Sequence, residues 1–357
     1  MIISARFQDD YKKILEVLKG RTNRAFFVGG AVRDFILKRE FCDIDIEVFD
    51  VEPDRFAALM QSIGAAGVGK SYFVYKLGNF DISLPREESK SGIGHKAFEV
   101  RWCNVPEAAS KRRDFTINSI MINIFSGECL DFNNGIRDIE LKTIRHIDQD
   151  RFKEDSLRVL RAMRFSSQLG FKIAEETAAL CRSIPLSDLS QERIAAEFNI
   201  MFHSDHRVRG VFYMFTLWIA EKILGIREVK LSLLRALKRL PSGYINLYAF
   251  RALYGIAPSC FFVPKKVERK IVSMPLIPKR VSDRFLIRTA LVMPLCEWGG
   301  TYILRLQERA KELNIFENKF DPCVHATDLF NEGYKEGKEL GTELKKRILR
   351  KVREYGK

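Results

Sequence analysis

FFVGGAVRDFILKREFCDIDIEVF, residues 26–49, is the stretch on which the fold of this 357-residue chain turns. A short apolar run leads into Gly29 and Gly30, a helix-forming segment carries Arg33 and Asp34, and a β-branched run then carries Asp43 and Asp45. Side chains two apart on a strand share a face, so both carboxylates are projected into one small volume. They repel there unless a cation lies between them, and a hard, oxygen-seeking ion such as Mg²⁺ answers that need. Glycines just before a helix let backbone N–H groups close on a phosphate, whose charge the helix N-terminus favours. Together these residues point to a metal–nucleoside triphosphate site. A Gly-Gly pair alone is an ordinary turn, and an Asp-x-Asp alone is a solvated edge. Their succession within 17 residues, as strand, glycines, helix and strand, carries the reading.

Outward from this stretch, residues 9–19 place Tyr11, Ile14, Leu15 and Leu18 at helical spacing and stop at Gly20. Strands are expected at 25–28 and 43–49, with helices at 31–37 and 53–63. Strand-like runs at 72–77 and 80–84 are joined by Gly78-Asn79, a hairpin signal. Residues 86–97 read as a polar loop, and 98–102 and 117–125 as strands completing a small mixed sheet. From Arg151 onward the pattern is helical, over 152–169, 174–183 and 191–203. Phe212, Tyr213, Phe215 and Trp218 read as core, while Pro258, Pro264, Pro275 and Pro278 mark a connection over 258–280. The fold class is α+β, an N-terminal α/β head with a small mixed sheet followed by an all-helical remainder.

Length allows two or three domains, and 46% hydrophobic residues support real cores. Lys and Arg exceed Asp and Glu by 60 to 46, a net charge of +14 that fits a polyanionic partner. The seven cysteines are scattered and never in CxxC spacing, so neither a disulfide framework nor a zinc site is indicated. The start, MIISARFQDDYKK, has no signal-peptide pattern, and no apolar run approaches membrane-spanning length. A reduced, cytoplasmic protein with no membrane partner is expected.

Gly64-Ala-Ala-Gly-Val-Gly69-Lys70-Ser71 satisfies the letter of a P-loop, GxxxxGK[ST]. That device needs a strand before it and a helix after it. Here the expected order is helix, then strand, and the motif is set aside.

Two further clusters remain. Lys111-Arg112-Arg113-Asp114-Phe115-Thr116-Ile117-Asn118 puts three cations before an acid at the entry to an apolar run. Arg113 is placed to reach a triphosphate, and Asp114 to accept from a ribose hydroxyl or orient Arg113; a surface salt-bridge cluster is the competing account. In FKEDSLRVLRAMRF, residues 152–165, Glu154 and Arg158 are four apart, while Asp155, Arg158, Arg161 and Arg164 step by three along one flank of a helix. Three arginines in a row repel unless anions answer them. A carboxylate and a guanidinium side by side also supply the acceptor and donors that read a base edge.

With these clusters in view, the chain resembles the class II tRNA nucleotidyltransferases (CCA-adding enzymes) and the related bacterial poly(A) polymerases. FFVGGAVRDFILKREFCDIDIEV is similar to their nucleotidyltransferase signature and KRRDFTIN to their second motif. DFNNGIRDIELKTIRHI (131–147), FKEDSLRVLRAMRFSSQLGF (152–171) and LSQERIAAEF (189–198) resemble the third, fourth and fifth. DLFNEGYKEGKELGTELKKRI (328–348) is similar, more weakly, to the family's closing helical segment.

The resemblance implies a nucleotidyltransferase head at 1–140, a base-selecting neck at 141–203, a body at 204–280 and a tRNA-binding tail at 281–357. It implies that Asp43 and Asp45 hold catalytic Mg²⁺, with Asp81 as a third carboxylate. Gly29, Gly30 and Arg33 would meet the triphosphate, and Arg113 and Asp114 phosphate or ribose. Asp155 and Arg158 would pair with the base of CTP or ATP, with Arg161 and Arg164 supporting nucleotide or RNA phosphates. Residues 86–100 stand where the family has the loop used in switching from C to A. The implied activity is template-independent addition of CCA from CTP and ATP to the 3′ end of tRNA, held by its acceptor arm, with release of pyrophosphate. Lys345, Lys346, Arg347, Arg350, Lys351 and Arg353 are candidate tRNA contacts. CC-only or A-only addition, poly(A) synthesis and catalytically silent RNA binding remain open alternatives.

Overall fold

The computed structural model describes residues 4–68, 73–90 and 98–356, with the backbone alone for 86–90 and 98–102. The strands of the first part are β1 (Ala25–Val28), β2 (Ile44–Val48), β3 (Ala66–Gly67), β4 (Val74–Leu77), β5 (Phe80–Ser83), β6 (Arg86–Lys90), β7 (Phe98–Trp102), β8 (Met121–Asn123) and β9 (Cys129–Leu130). The helices are α1 (Gln8–Leu18), α2 (Gly30–Ile36), α3 (Pro53–Ser62), α4 (Pro106–Lys111), α5 (Gly135–Glu140), α6 (Gln149–Lys153), α7 (Leu157–Leu169), α8 (Glu175–Ser183) and α9 (Gln191–His203).

Seven strands form one sheet in the order β3-β4-β5-β2-β1-β8-β9. It is mixed, because β2 and β5 run parallel while the other neighbours are antiparallel. β1, Ala-Phe-Phe-Val, is buried at every position, as a strand with no polar alternation must be. Tyr11 of α1 covers one face, its ring 5.6 Å from Phe27 and 6.2 Å from Phe80. On the other face Phe26, Val28 and Phe49 pack with Ala109 of α4 and Met121. The register sets the site: Val28 lies opposite Asp45, and Asp45 opposite Asp81, so the acid of β2 stands where β1 turns into Gly29.

The chain separates into two compact units, 1–193 with 213–222, and 194–212 with 223–357. The first holds the sheet, α1–α8 and a two-strand parallel pair of 143–144 with 172–173. Lys222 Nζ donates to the carbonyls of Cys181, Arg182 and Ile184 and so caps the C-terminus of α8. The second is helical. Phe198, Phe202, Phe250 and Phe261 stack edge to face at 5.0–6.0 Å, and the buried Trp298 donates to Pro275 O at 2.8 Å. Among the described residues no helix is long and apolar enough to cross a membrane.

Several expectations are corrected. Residues 86–90 are not loop but strand β6, paired with β7 in a separate two-stranded sheet, so β7 does not join the main one; 91–97 lie outside the described residues. Within 117–125 only Met121–Asn123 is strand, because Thr116–Asn118 closes a 3-10 turn. The helix expected over 152–169 is two, since Asp148 caps α6 by accepting from Asp150 and Arg151 N–H, and the chain breaks at 154–156 before α7. Pro258 and Pro264 open a 3-10 turn and the helix Lys265–Ser273 instead of a bare connection. Of the aromatics read as core, Phe215 is buried but Phe212 and Trp218 are exposed. The order expected around the P-loop mimic holds: α3 precedes Gly64 and β4 follows, the added feature being the short β3 at Ala66–Gly67; Gly69, Lys70 and Ser71 lie outside the described residues.

Candidate active site

The bend from β1 into α2 depends on Gly29, whose φ of 74° is left-handed backbone. A Cβ there would lie 3.0 Å from Asp45 Oδ2 and 3.3 Å from Arg113 Nη1. Only glycine lets an acid and a guanidinium approach the backbone that closely. α2 is seven residues long, so the field at this bend comes mainly from side-chain charge.

Gly29, Gly30, Arg33, Asp43 and Asp45 line a cleft of about 740 Å³. Arg112, Arg113, Asp114 and Asn118 form its floor, and Asp155, Leu157, Arg158, Arg161, Arg164 and Phe165 complete the lining. Residues separated by more than a hundred positions in sequence therefore open onto one volume. Every candidate site residue except Asp81 lines it. Asp81 is Asp45's neighbour in register and pairs with Lys76 at 3.2 Å, and the described lining does not include it.

Asp45 is open to solvent through the cleft, yet protein crowds its other sides. That crowding raises its carboxyl pKa; Arg113 opposes the rise, and Asp81 and Glu47 add to it. An acid held in this way lacks a full complement of positive charge. Among the described residues no group of three or more His, Cys, Asp or Glu side chains is arranged to hold a metal. Two carboxylates open to a cleft nevertheless suit an ion that completes its octahedron with substrate phosphates and water, the habit of Mg²⁺. The donor set fits a divalent cation.

Asp114 is the electrostatic hinge of the floor. Burial works against its charge, but Arg161, a hydrogen bond from Asn118 and the nearby Arg158 together lower its pKa to about 2. Arg161 Nε donates to its Oδ2 at 2.7 Å, and Asn118 Nδ2 and the Phe115 N–H donate to Oδ1 at 3.0 and 2.8 Å. Asn118 Oδ1 in turn accepts from the buried Arg33 at 2.8 Å, while Arg33 chelates Asp34 through Nε and Nη2. A continuous hydrogen-bonded chain thus runs from α2 to α7.

The arginine row of α7 is held from below. Arg158 donates to the Arg112 carbonyl at 2.7 Å and Arg164 to Gln168 Oε1 at 2.8 Å. The buried Phe165 ring lies 5.1, 5.2 and 4.0 Å from the guanidinium carbons of Arg33, Arg161 and Arg164, a favourable meeting of cation and π-face. Asp155 sits at the break before α7, where Oδ1 accepts from the Leu157 N–H at 3.2 Å and from Arg193 at 3.0 Å. Sequence reasoning did not single out Glu47, Asn118 or Phe165 as site residues. Each was signalled by spacing: Glu47 is two from Asp45 on the strand, Asn118 is four from Asp114, and Phe165 is four from Arg161 on the helix.

Residues 25–145 match the family described as the poly A polymerase head domain, and residues 170–229 match that described as "Probable RNA and SrmB-binding site of polymerase A". The CCA-adding enzyme of Bacillus subtilis is 38% identical over 193 residues, 52% of this chain and 48% of that protein. The multifunctional CCA protein of Psychromonas ingrahamii is 40% identical over 184 residues, 48% of this chain and 43% of that protein. Over these regions the chain is similar to CCA-adding enzymes. It spans about half the length of the curated relatives it matches. Among solved members of the CCA-adding family, the Bacillus stearothermophilus enzyme in complex with CTP superposes with a TM-score of 0.67 at 23% identity, over 98% of this chain and 93% of that one. The Thermotoga maritima enzyme complexed with tRNA-CCA gives 0.72 at 19%, over 98% and 92%. At these identities the likeness establishes the fold.

Proposed function

We propose that this chain is a tRNA nucleotidyltransferase that adds CMP, CMP and AMP to the 3′ end of tRNA from CTP and ATP, without a nucleic-acid template. One observation carries the reading: the carboxylates of Asp43 and Asp45 and the guanidinium row of α7 open into the same cleft, with Arg113 and Asp114 between them. Asp43 and Asp45 are the pair assigned to the divalent cation, taken as Mg²⁺. Asp81, beside Asp45 in register, adds negative potential. Bound there, the cation supplies Lewis acidity that eases loss of the 3′-hydroxyl proton and steadies the leaving pyrophosphate.

The chain's own groups do the rest. The 3′-hydroxyl oxygen bonds to the α-phosphorus, the bond to pyrophosphate breaks, and the hydroxyl proton leaves to solvent. Gly29 and Gly30 admit the triphosphate, and Arg33 and Arg113 meet its charge. Asp114 keeps Arg161 in place beside the ribose, and Arg161 and Arg164 face phosphates. Asp155 and Arg158 supply acceptor and donors to the base edge. Positioning and preformed charge are the main sources of rate in such a displacement.

The four-part division into head, neck, body and tail (1–140, 141–203, 204–280 and 281–357) belongs to this proposal, as does a cytoplasmic location. The acceptor arm of tRNA is assigned to the basic helical remainder, which would read A-form shape and phosphate. Within the helix Lys338–Tyr355, Arg347 already pairs with Glu332 and Glu343, Lys346 with Glu343, and Arg350 and Lys351 with Glu354. Among the described residues, Lys345 and Arg353 are therefore the candidates least engaged by acids.

The test is incorporation on tRNA lacking its CCA end, with labelled CTP and ATP given singly and together. Two C residues followed by one A support the reading. Stopping at CC, adding A alone, or extending an A tract would assign the corresponding partial activity or poly(A) synthesis. No divalent-dependent incorporation with retained tRNA binding would make the chain a silent RNA binder.

A further inference from the structure

We propose that Glu47 is a positioning residue of this site: its buried carboxylate anchors Arg112 and Arg113 and so keeps the Arg113 guanidinium beside Asp45 rather than on it. This rests on the site reading above and adds a role that neither the motifs nor the relatives assign. Glu47 is on β2, two residues past Asp45 on the same face, and is only 1% exposed. Its Oε1 accepts from Arg113 Nη2 at 2.9 Å and from Arg112 Nη2, while its Oε2 is buried with no hydrogen-bond partner. A lone carboxylate at this depth is expensive, and two guanidiniums on one oxygen are what keep it charged.

The geometry explains why the arrangement is useful. Arg113 Nη1 and Asp45 Oδ2 converge on the same point above Gly29. Among the described residues, however, no ion pair joins Arg113 to Asp45; Arg113 pairs with Glu47 instead. An arginine this close to a cation-binding carboxylate would otherwise compete with the cation. Glu47 engages one edge of the guanidinium and leaves the other toward the cleft, so Asp45 stays available and Arg113 still faces a triphosphate. Without the anchor, Asp45 is a carboxylate already beside the Arg113 guanidinium.

The test is Mn²⁺ binding to the whole chain without nucleotide, followed by electron paramagnetic resonance, for wild type, Glu47→Gln, Arg113→Gln and the double variant. Glu47→Gln is expected to weaken Mn²⁺ binding about tenfold, the size of one competing ion pair in a partly screened site. In the Arg113→Gln background the same change is expected to alter binding less than about twofold, because the competitor is gone. A tenfold loss that persists without Arg113 would overturn the proposal and make Glu47 a direct source of attraction for the metal. Equal Mn²⁺ binding by wild type and Glu47→Gln would overturn it as well. Should Glu47→Gln not fold, Glu47→Gln/Arg112→Gln restores the local charge balance while still removing the anchor, and the same comparison applies. If wild type itself bound no Mn²⁺ and incorporated no nucleotide, the site reading rather than the role of Glu47 would be at fault.

Discussion

Asp114→Asn isolates the charge at the centre of the cleft floor. The substitution keeps size and shape but removes the anion that receives Arg161, the Asn118 amide and the Phe115 N–H. The carboxyl sits near 2 instead of its ordinary 3.8, and at about 1.4 kcal/mol per pH unit the difference corresponds to about 2–3 kcal/mol of stability at neutral pH. The sign follows from the direction. A folded-state pKa below the unfolded one stabilises above the unfolded value, and that contribution drains away as pH falls through the folded value. The wild-type advantage over Asp114→Asn is therefore full at pH 7, roughly half at pH 3 and small below pH 2. For a unit of about 200 residues it corresponds to a Tm lower by about 5–10 °C at pH 7. Thermal unfolding of both proteins, followed by near-ultraviolet circular dichroism between pH 3 and 7 at fixed ionic strength, measures it. A gap of the same size at pH 3 as at pH 7 would refute the electrostatic account and leave only packing.

Asp45→Asn is expected to abolish nucleotide addition while leaving Tm in EDTA unchanged or slightly raised at pH 7, because the raised pKa of Asp45 means its anion is disfavoured in the metal-free fold; a lower Tm, or turnover like wild type, would contradict the assignment. Gly29→Ala introduces a Cβ 3.0 Å from Asp45 Oδ2 at a φ of 74°, so about 1–2 kcal/mol of backbone strain should accompany a loss of CTP affinity of tenfold or more in calorimetric titration. Asp155→Ala and Arg158→Ala should blur the ratio of CMP to AMP incorporation while leaving Mn²⁺ binding within about twofold, since each removes one side of a base-reading pair and neither is assigned to the cation; unchanged selectivity in both variants would end the template role.

Much of the lining of the candidate cleft is legible in the sequence. The β1–Gly-Gly–α2–β2 order, the acids Asp43 just before β2 and Asp45 within it, and the three-residue spacing of the α7 arginines are all local, and strand and helix periods translate local spacing into shared faces. The P-loop mimic at 64–71 could be set aside on element order alone. Boundaries were less legible. The 3-10 turn at Thr116–Asn118 and the break at 154–156 arise because Asp114, Asp148 and Asp155 hydrogen-bond to nearby backbone N–H groups, an option that competes with regular structure and leaves no periodic trace.

Sequence by itself determined which chemistry the chain carries, because charge, donor count and spacing along one element are properties of consecutive residues. Only the tertiary structure decided which of those groups meet. Parallel pairing of β2 with β5 set Asp81 next to Asp45, burial turned Glu47 into the anchor of Arg113, and the chain Arg33–Asn118–Asp114–Arg161 tied the glycine bend to the arginine helix. Such contacts form between residues tens of positions apart. They are chosen by which buried charges must find partners once water is excluded, and no local pattern records that choice.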